Sequence, residues 1–252
     1  MIKLWPLKPF HFISALMICG VTLLCSLGCW QLSRAAQKQA LLSQASEART
    51  QQPLSVHALL TEANPSTLRY YPIKLSGTFF NDQTILLDNK VNNGEVGYHV
   101  LVPFLLNEHT LILVNRGWIP QGRSRAILPS ISPIKGETTI EGYLDFAYRN
   151  PLIKSAIESN IIQWPLRMQQ LDMGLLKDTL GKNIYPMLVT LNNESSFAFS
   201  SPKAPVVWMS PERHQGYAVQ WFSLAATLFG FYLFTQFRQR AKHEHANNCK
   251  NC

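Results

Sequence analysis

The residues of this chain that are best suited to binding a ligand or a metal lie in two short segments. Both segments carry glutamine and tryptophan together with charged or aromatic side chains. The first contains Trp30, Gln31 and Arg34, and the second is the run HQGYAVQWF at 214–222. His214 is the candidate metal ligand, because a neutral imidazole nitrogen binds iron and other transition metals. A lone histidine next to aromatic residues is also common without a ligand, and the sequence leaves both interpretations open.

Helical spacing predicts that His214, Tyr217, Ala218, Trp221 and Ala225 share one face of a helix. Tyr217 and Trp221 are candidates to line a bound group beside His214. The alternative is that their rings only mark a membrane–water interface. The small alanines would let another helix, or a flat ring, approach the imidazole closely.

A polar and basic stripe continues from the first segment, because Arg34 and Lys38 follow Gln31 by three and seven residues. Such side chains usually reach lipid phosphates from the end of a membrane span. The alternative is a clamp for a carboxylate near His214. An amide facing lipid is costly, so Gln31 and Gln220 are expected to face protein, and an amide pair between two helices would satisfy both.

The segment 113–120, LVNRGWIP, places Arg116 and Trp118 where a strand should alternate. A bulge at 115–117, with Arg116 paired to a carboxylate such as Asp88, is the structural interpretation. Arginine and tryptophan are also favoured anchors of protein interfaces. The candidate partner-contact residues are therefore Arg116, Trp118, Trp30 and Gln220.

Catalytic motifs are absent from the sequence, which has no phosphate-binding glycine loop, HExxH, nucleophile elbow or paired CxxC. His57, His99 and His109 stand apart, and the middle of the chain has no cysteine. We therefore do not predict an enzyme. The C-terminal tail, with its HEH run and Cys249 and Cys252, has metal-ligand types, although a plain basic tail explains it as well.

Two uncharged runs of 21 residues, Phe12–Leu32 and Tyr217–Phe237, must position these groups. Each is long enough to cross about 30 Å of hydrocarbon as a helix. The first run could instead be a signal sequence or a lipid-attachment box around Ser26–Cys29. Its length and the following Gln31 and Arg34 argue against that alternative.

The net charge of +8 does not predict nucleic-acid binding. The two tails hold six of the 23 basic residues and one of the 15 acidic ones, which leaves only +3 for the rest. Basic tails suit anionic lipid on a cytoplasmic surface. We therefore expect a membrane protein whose partners include lipid, with both termini cytoplasmic and the middle of the chain on the other side.

The middle of the chain predicts an α+β domain dominated by an antiparallel β-sheet. A helix should continue from Ser33 to Arg49, hairpins are expected at 70–89 and 97–118, and strands at 138–144 and 185–192. A helix is expected beyond Pro165, ending near Gly181. The resulting division is a tail at 1–11, a membrane helix at 12–32, a β-rich domain with its lead-in segments at 33–211, an interfacial turn and second membrane helix at 212–237, and a basic tail at 238–252.

Taken together, several of these motifs resemble the Surfeit locus 1 family. The resemblance is carried, in order, by Trp30-Gln31 with Arg34 and Lys38, Leu86–Asn89, Gly97–Val100, Val114–Pro120, and His214 with Gly216–Phe222. It implies an assembly factor for haem-copper cytochrome c oxidase in the bacterial inner membrane, with a periplasmic domain. Its partners would be oxidase subunit 1 and other oxidase assembly factors.

The resemblance also implies a transient contact with haem a, in which His214 would ligate the iron and Gln31, Arg34, Tyr217 and Trp221 would lie around the ring. An imidazole is a usual axial ligand of haem iron, and Ala218 would leave room for the ring. A second axial ligand is not evident, although His99, His11 or a partner could supply one. The alternatives are a scaffold that binds an oxidase subunit without haem and, less favoured, an enzyme at the membrane surface.

Overall fold

Two long helices and a mixed β-sheet account for most of the structure. The computed structural model describes residues 9–122, 124–147, 150–153, 155–157, 162–200 and 209–248. The chain divides into two units. One unit, the helix pair, consists of Met1–Leu42 and Val207–Cys252, and the other, the β-domain, is Ser43–Val206.

The helix pair contains α1 (Pro9–Arg49), whose last two turns belong to the β-domain, and α4 (Pro211–Asn248). Each has a stretch whose length and composition would allow it to cross a membrane. The prediction that the first helix continues beyond Leu32 and ends before Pro53 is confirmed.

An antiparallel seam joins α1 and α4. At one end Ser14 Oγ lies 2.8 Å from the Tyr232 hydroxyl, and at the other Gln31 bonds to His214. Less exposed positions spaced by three, four or seven residues run along both helices, as in a left-handed helix pair. Among them are Ser14, Met17, Val21, Leu24, Gly28, Gln31 and Ala35 on α1, and Pro211, His214, Ala218, Trp221, Ala225, Tyr232 and Thr235 on α4.

The β-domain is built on seven strands. They are β1 (Pro72–Phe79), β2 (Ile85–Asn92), β3 (Glu95–Asn107), β4 (Thr110–Pro120), β5 (Glu137–Asp145), β6 (Leu166–Met168) and β7 (Asn183–Leu191). Their order is β1-β5-β7-β4-β3-β2-β6, and β1 also pairs with β3. Five strands therefore close into a ring, β1-β5-β7-β4-β3, which β2 and β6 extend outward.

Short helices complete the β-domain, namely α2 (Val56–Thr61), α3 (Met173–Leu180) and two 3-10 turns at Pro65–Leu68 and Asn81–Gln83. Alternate strand residues feed two cores. The larger core includes Leu75, Val102 and Val114, and in it the Phe79 and Phe104 rings meet edge to face, 4.9 Å apart. The smaller core packs Leu176 of α3 with Leu101 and Leu113 from the other side of the sheet.

Several predicted elements are confirmed. The β3–β4 hairpin turns at Asn107, whose side chain accepts hydrogen bonds from the backbone N–H groups of His109 and Thr110. The strands at 138–144 and 185–192 correspond to β5 and β7. The predicted helix end near Gly181 is confirmed, because Gly181 caps α3 in the left-handed region with a φ of 63°.

The predicted hairpin at 70–89 is wrong. β1 pairs with β5 and β3 rather than with β2, because the chain turns away through Asn81–Gln83. The Asn81 side chain holds that turn against a distant loop, since it accepts from Ile134 N–H and donates to Ile134 C=O, both at 2.8 Å. This local turn therefore serves a long-range contact.

Two further expectations need correction. The sheet is mixed, because β4 pairs in parallel with β7 and β2 with β6, whereas the remaining pairs are antiparallel. The helix beyond Pro165 is shorter than predicted, since Leu166 belongs to β6 and α3 starts only at Met173, after the Asp172 cap. The apolar spacing at 166–171 fits strand pairing and core packing instead.

Candidate functional site

His214 lies in the first turn of α4 and is only 8% exposed. Its Nδ1 is 2.7 Å from Gln31 Oε1 on α1. With the amide oxygen as acceptor, Nδ1 carries the proton and Nε2 keeps its lone pair. A hydrogen bond to the far ring nitrogen is the usual way in which a protein orients a metal-binding imidazole.

The alanines of the predicted His214 face contact α1. Ala218 is 1% exposed and Ala225 is 5% exposed, while Gly28 sits so close to α4 that an added Cβ would lie 2.7 Å from the Phe222 ring. The sequence predicted that either another helix or a flat ring approaches these alanines, and in the structure it is the helix α1. The predicted room for a ring beside Ala218 is wrong in this arrangement, because the helix pair occupies it.

The two glutamines do not pair with each other. Gln31 faces protein, as predicted, but its partner is His214. Gln220 is exposed, because it lies on the far side of α4 from the Ala218 face. The predicted amide pair is therefore wrong, and a histidine–glutamine pair takes its place.

The other predicted residues near His214 are more exposed. Tyr217 is exposed and Trp221 is half-buried. Arg34 donates to Gln37 Oε1 at 2.9 Å and lies 5.6 Å from the centre of the exposed Trp30 ring, so its contacts are within α1. A carboxylate clamp formed by Arg34 and Lys38 stays a prediction.

Haem fits this site only in part. The imidazole of His214, with Nδ1 held by Gln31, suits an axial ligand. The Ala218 face offers no room for the macrocycle while α1 covers it. Among the described residues no group of three or more His, Cys, Asp or Glu side chains could hold a metal ion, and Cys249 and Cys252 lie outside them.

The second candidate site, the bulge of β4, holds the segment Phe197–Ser200 that precedes α4 in the chain. The buried Arg116 donates through Nε to Phe197 C=O at 2.9 Å and through Nη1 to Ser132 C=O at 3.1 Å. Its guanidinium lies 4.5 Å from the centre of the Phe199 ring. The predicted pairing of Arg116 with Asp88 is wrong.

The backbone of the bulge contributes as much as Arg116. The Trp118 N–H donates to Ser200 C=O at 2.6 Å, and the indole N–H donates to Lys90 C=O at 2.8 Å. Gly117 has a φ of 110°, which confirms the predicted bulge, and a Cβ there would lie 2.7 Å from Phe199 O. Arg116 and Trp118 are thus buried and bonded within the β-domain, and their role as partner contacts stays a prediction.

A row of polar side chains crosses the outer face of the ring, and no motif in the sequence predicts it. Tyr143 of β5 is in register with Thr190 of β7, Thr190 is in register with Asn115 of β4, and Asn115 Nδ2 is 3.5 Å from His99 Nδ1 on β3. Burial raises the pKa of Tyr143 to about 12 and lowers that of His99 to about 4. Only the strand order, which crosses between distant parts of the chain, brings these residues together.

Comparison with known proteins gives a consistent result. The model of the SURF1 family matches residues 18–226. The chain is 27% identical over 218 residues to a SURF1-like protein of Rickettsia felis, which is 84% of this chain and 91% of that protein. It is 23% identical over 238 residues to Surfeit locus protein 1 of Takifugu rubripes, which is 86% of this chain and 93% of that protein. A shorter match, 27% over 96 residues, covers 38% of this chain and 25% of the cytochrome oxidase assembly protein SHY1 of Saccharomyces cerevisiae.

Proposed function

Because this chain belongs to the SURF1 family, we propose that it is a membrane-anchored assembly factor for cytochrome oxidase. The observation that carries the proposal is the family match at 18–226, which includes His214, the β-domain and part of each apolar helix stretch. The yeast relative, by its name a cytochrome oxidase assembly protein, supplies the target. The proposal assigns no reaction to the chain.

Membrane anchoring is supported by the outward faces of the helix pair. Large apolar side chains are exposed along both helices, including Leu16 and Leu23 on α1 and Phe231 and Phe234 on α4. An exposed apolar surface of this kind is matched by lipid rather than water. With the basic tails, this supports a bacterial inner-membrane protein whose termini are cytoplasmic and whose β-domain is periplasmic.

The favoured partner is the folding oxidase itself, with subunit 1 as the target and other assembly factors as neighbours. Two forms of this function differ in chemistry. In the first, the chain is a scaffold that contacts a subunit without cofactor. In the second, it also delivers or retains haem a through His214, and the observation that favours this form is the hydrogen bond that Gln31 makes to Nδ1.

The assembly role is tested in cells that lack this chain and use a haem-copper oxidase. We expect less assembled oxidase, measured from membrane difference spectra, and recovery when the wild-type gene is returned. Extraction at alkaline pH should leave the chain in the membrane pellet. Normal oxidase levels without the chain would refute the assembly role, and release into the supernatant would refute the anchoring.

The haem role is tested on the intact protein, purified in detergent from cells that make haem a. We expect a haem absorption band that is lost in His214→Ala and kept in His109→Ala, which changes an exposed histidine of the β-domain. Gln31→Leu should weaken or shift the band, because the imidazole loses its orienting bond. Wild-type protein without haem would leave the scaffold as the function.

A further inference from the structure

A second face of α4 lies opposite the seam with α1. Its residues recur at steps of four, three, four and three, and all of them are exposed: Gly216, Gln220, Ser223, Thr227 and Gly230. At 100° per residue they centre about 160° away from Ala218. α1 covers one side of α4, so this side is available to something else.

Gln220 is the residue that needs a partner on this face. Within the described part of the chain its amide makes no hydrogen bond. Several other polar side chains of the helix pair do make one: Gln31 bonds His214, Ser14 bonds Tyr232, and Thr227 donates to Ser223 C=O of its own helix. An amide left unpaired in hydrocarbon is destabilising, so its environment should supply a donor and an acceptor.

Gln220 lies too deep in the proposed membrane span for its amide to reach water. It follows His214 by six residues, which puts it about 9 Å further along the helix axis. The antiparallel register places it level with the apolar part of α1 near Ser26, whose hydroxyl already donates to Thr22 C=O. Its amide therefore belongs to the interior of the proposed span, below the level of the His214–Gln31 pair.

The backbone of α4 is accessible on the same face. An added Cβ at Gly216 or at Gly230 would have nothing within 4 Å. In membranes, glycines at such positions let a second helix approach closely, and polar side chains between them bond across the interface. The face thus suits a transmembrane helix that offers a polar group opposite Gln220.

We propose that two copies of this chain pair in the membrane through this face of α4, with their Gln220 amides hydrogen-bonded to each other. This rests on the proposed membrane anchoring. Copies inserted in the same direction have parallel α4 helices, and a two-fold axis along the membrane normal then brings each residue opposite itself. An amide is both donor and acceptor, so Gln220 is complementary to its own copy, and the face contains no charge that would repel its twin.

Cysteine cross-linking tests the geometry in the full chain. With the five natural cysteines replaced by serine, Ser223→Cys should form a disulfide-linked dimer under mild oxidation in native membranes. Leu224→Cys is the matched control, because it lies at almost the same depth but 100° around the helix, and it should cross-link far more slowly. Equal rates at the two positions, or a cross-link from Ser223→Cys to a different protein, would overturn the proposal.

The role of the amide is tested by dimer affinity, measured by single-molecule photobleaching in vesicles of phosphatidylethanolamine and phosphatidylglycerol. Gln220→Leu should weaken the dimer by roughly three- to tenfold, the range of interhelical hydrogen bonds. Gln215→Leu, the same change at an exposed amide just before the span, should not. A wild-type chain that stays monomeric at every protein-to-lipid ratio would overturn the proposal.

Failure of this proposal can be told from failure of the proposed function. Each variant is also checked for resistance to alkaline extraction and for recovery of oxidase in cells that lack the chain. A wild-type chain that resists extraction and restores oxidase but is monomeric overturns only the pairing. A chain that is released by alkali overturns the anchoring on which the pairing depends.

Discussion

Gln31 of α1 and His214 of α4 meet at 2.7 Å across an antiparallel helix pair. The bond joins residues 183 positions apart in the sequence. It links the part of α1 that precedes the β-domain in the chain to the first turn of α4, which follows the β-domain. It also fixes which nitrogen of the imidazole carries the proton. One contact thus serves helix packing and prepares Nε2 as a ligand.

The strength of this bond can be measured with a double-mutant cycle of Gln31→Leu and His214→Phe. We expect each single variant to destabilise the helix pair, because it leaves a buried polar group unpaired. The coupling free energy should be about 0.6 kcal/mol and at most about 1.7 kcal/mol, as for other hydrogen bonds between membrane helices. Unfolding in sodium dodecyl sulfate titrations provides the measurement.

The control cycle combines His214→Phe with Gln220→Leu. These residues lie about 120° apart around α4 and about 9 Å apart along it, so their effects should add to within about 0.5 kcal/mol. A Gln31–His214 coupling no larger than that of the control would mean that the 2.7 Å contact adds nothing to helix pairing.

Features that depend on local periodicity could be predicted from the sequence. The helix face with His214, Ala218 and Ala225 follows from 100° per residue, and the β3–β4 hairpin follows from two alternating runs around Asn107. In both cases the residues that decide the structure are neighbours in the chain. The burial of Ala218 then followed from its place between His214 and Ala225.

Features that depend on which distant elements meet could not be predicted. The predicted hairpin at 70–89 would turn at Asn81, but the amide of Asn81 is hydrogen-bonded to the Ile134 backbone, 53 positions away. Arg116 seemed to need a carboxylate, but the carbonyls of Phe197 and Ser132 satisfy it. Gln31 could have paired with several groups at its level, and only the rotation of α4 selected His214.

Two glycines with positive φ should respond very differently to alanine. Gly117→Ala should destabilise the β-domain by several kcal/mol, because the new Cβ would lie 2.7 Å from Phe199 O in addition to the strain of a φ of 110°. Gly122→Ala, with a φ of 78° and open space around the Cβ position, should cost only about 1–2 kcal/mol.

Hydrogen exchange distinguishes a local effect of Gly117→Ala at the bulge from a general loss of stability. In Gly117→Ala the Phe199 amide, which donates to Arg116 C=O, should lose more protection than amides of β5, because the clash displaces the Phe197–Ser200 segment first. Similar destabilisation by both alanine variants would show that close packing at the bulge is unimportant.

His99 should make the β-domain sensitive to acid. Burial, with the Lys90 charge as a smaller cause, lowers the pKa of His99 to about 4 from the ordinary 6.5. Between these values the unfolded chain binds a proton that the folded chain does not, so the unfolding free energy falls as the pH drops from about 6.5 towards 4. The loss is on the order of 3 kcal/mol.

The measurement is a series of urea titrations of the full chain in detergent from pH 7 to pH 4. His99→Gln should flatten the pH dependence of the unfolding free energy in this window, whatever its effect on stability at pH 7. His109→Gln, at an exposed histidine, should leave the slope unchanged. A His99→Gln variant with the wild-type slope would contradict the assignment.

Asp88 and Arg125 form an unequal ion pair whose two halves should respond unequally to mutation. The Asp88 side chain is 1% exposed and that of Arg125 is 47% exposed, with Nη2 2.6 Å from Oδ2. Arg125→Met leaves a buried carboxylate, to which the Asn89 N–H still donates. We expect the free energy of unfolding to fall by about 1–3 kcal/mol. This is less than for a fully buried ion pair, because Arg125 is partly exposed.

Adding Asp88→Asn to Arg125→Met should recover part of that loss, because a neutral amide is less costly to bury than an unpaired carboxylate. Lys74→Met is the matched control. It removes an exposed lysine from a 2.8 Å pair with Glu141, and should change the unfolding free energy by less than about 0.5 kcal/mol. Urea titrations at pH 7 give all three values. If the double variant is less stable than Arg125→Met alone, the buried carboxylate is stabilised by its backbone donor and surroundings, and Arg125 only anchors its own loop.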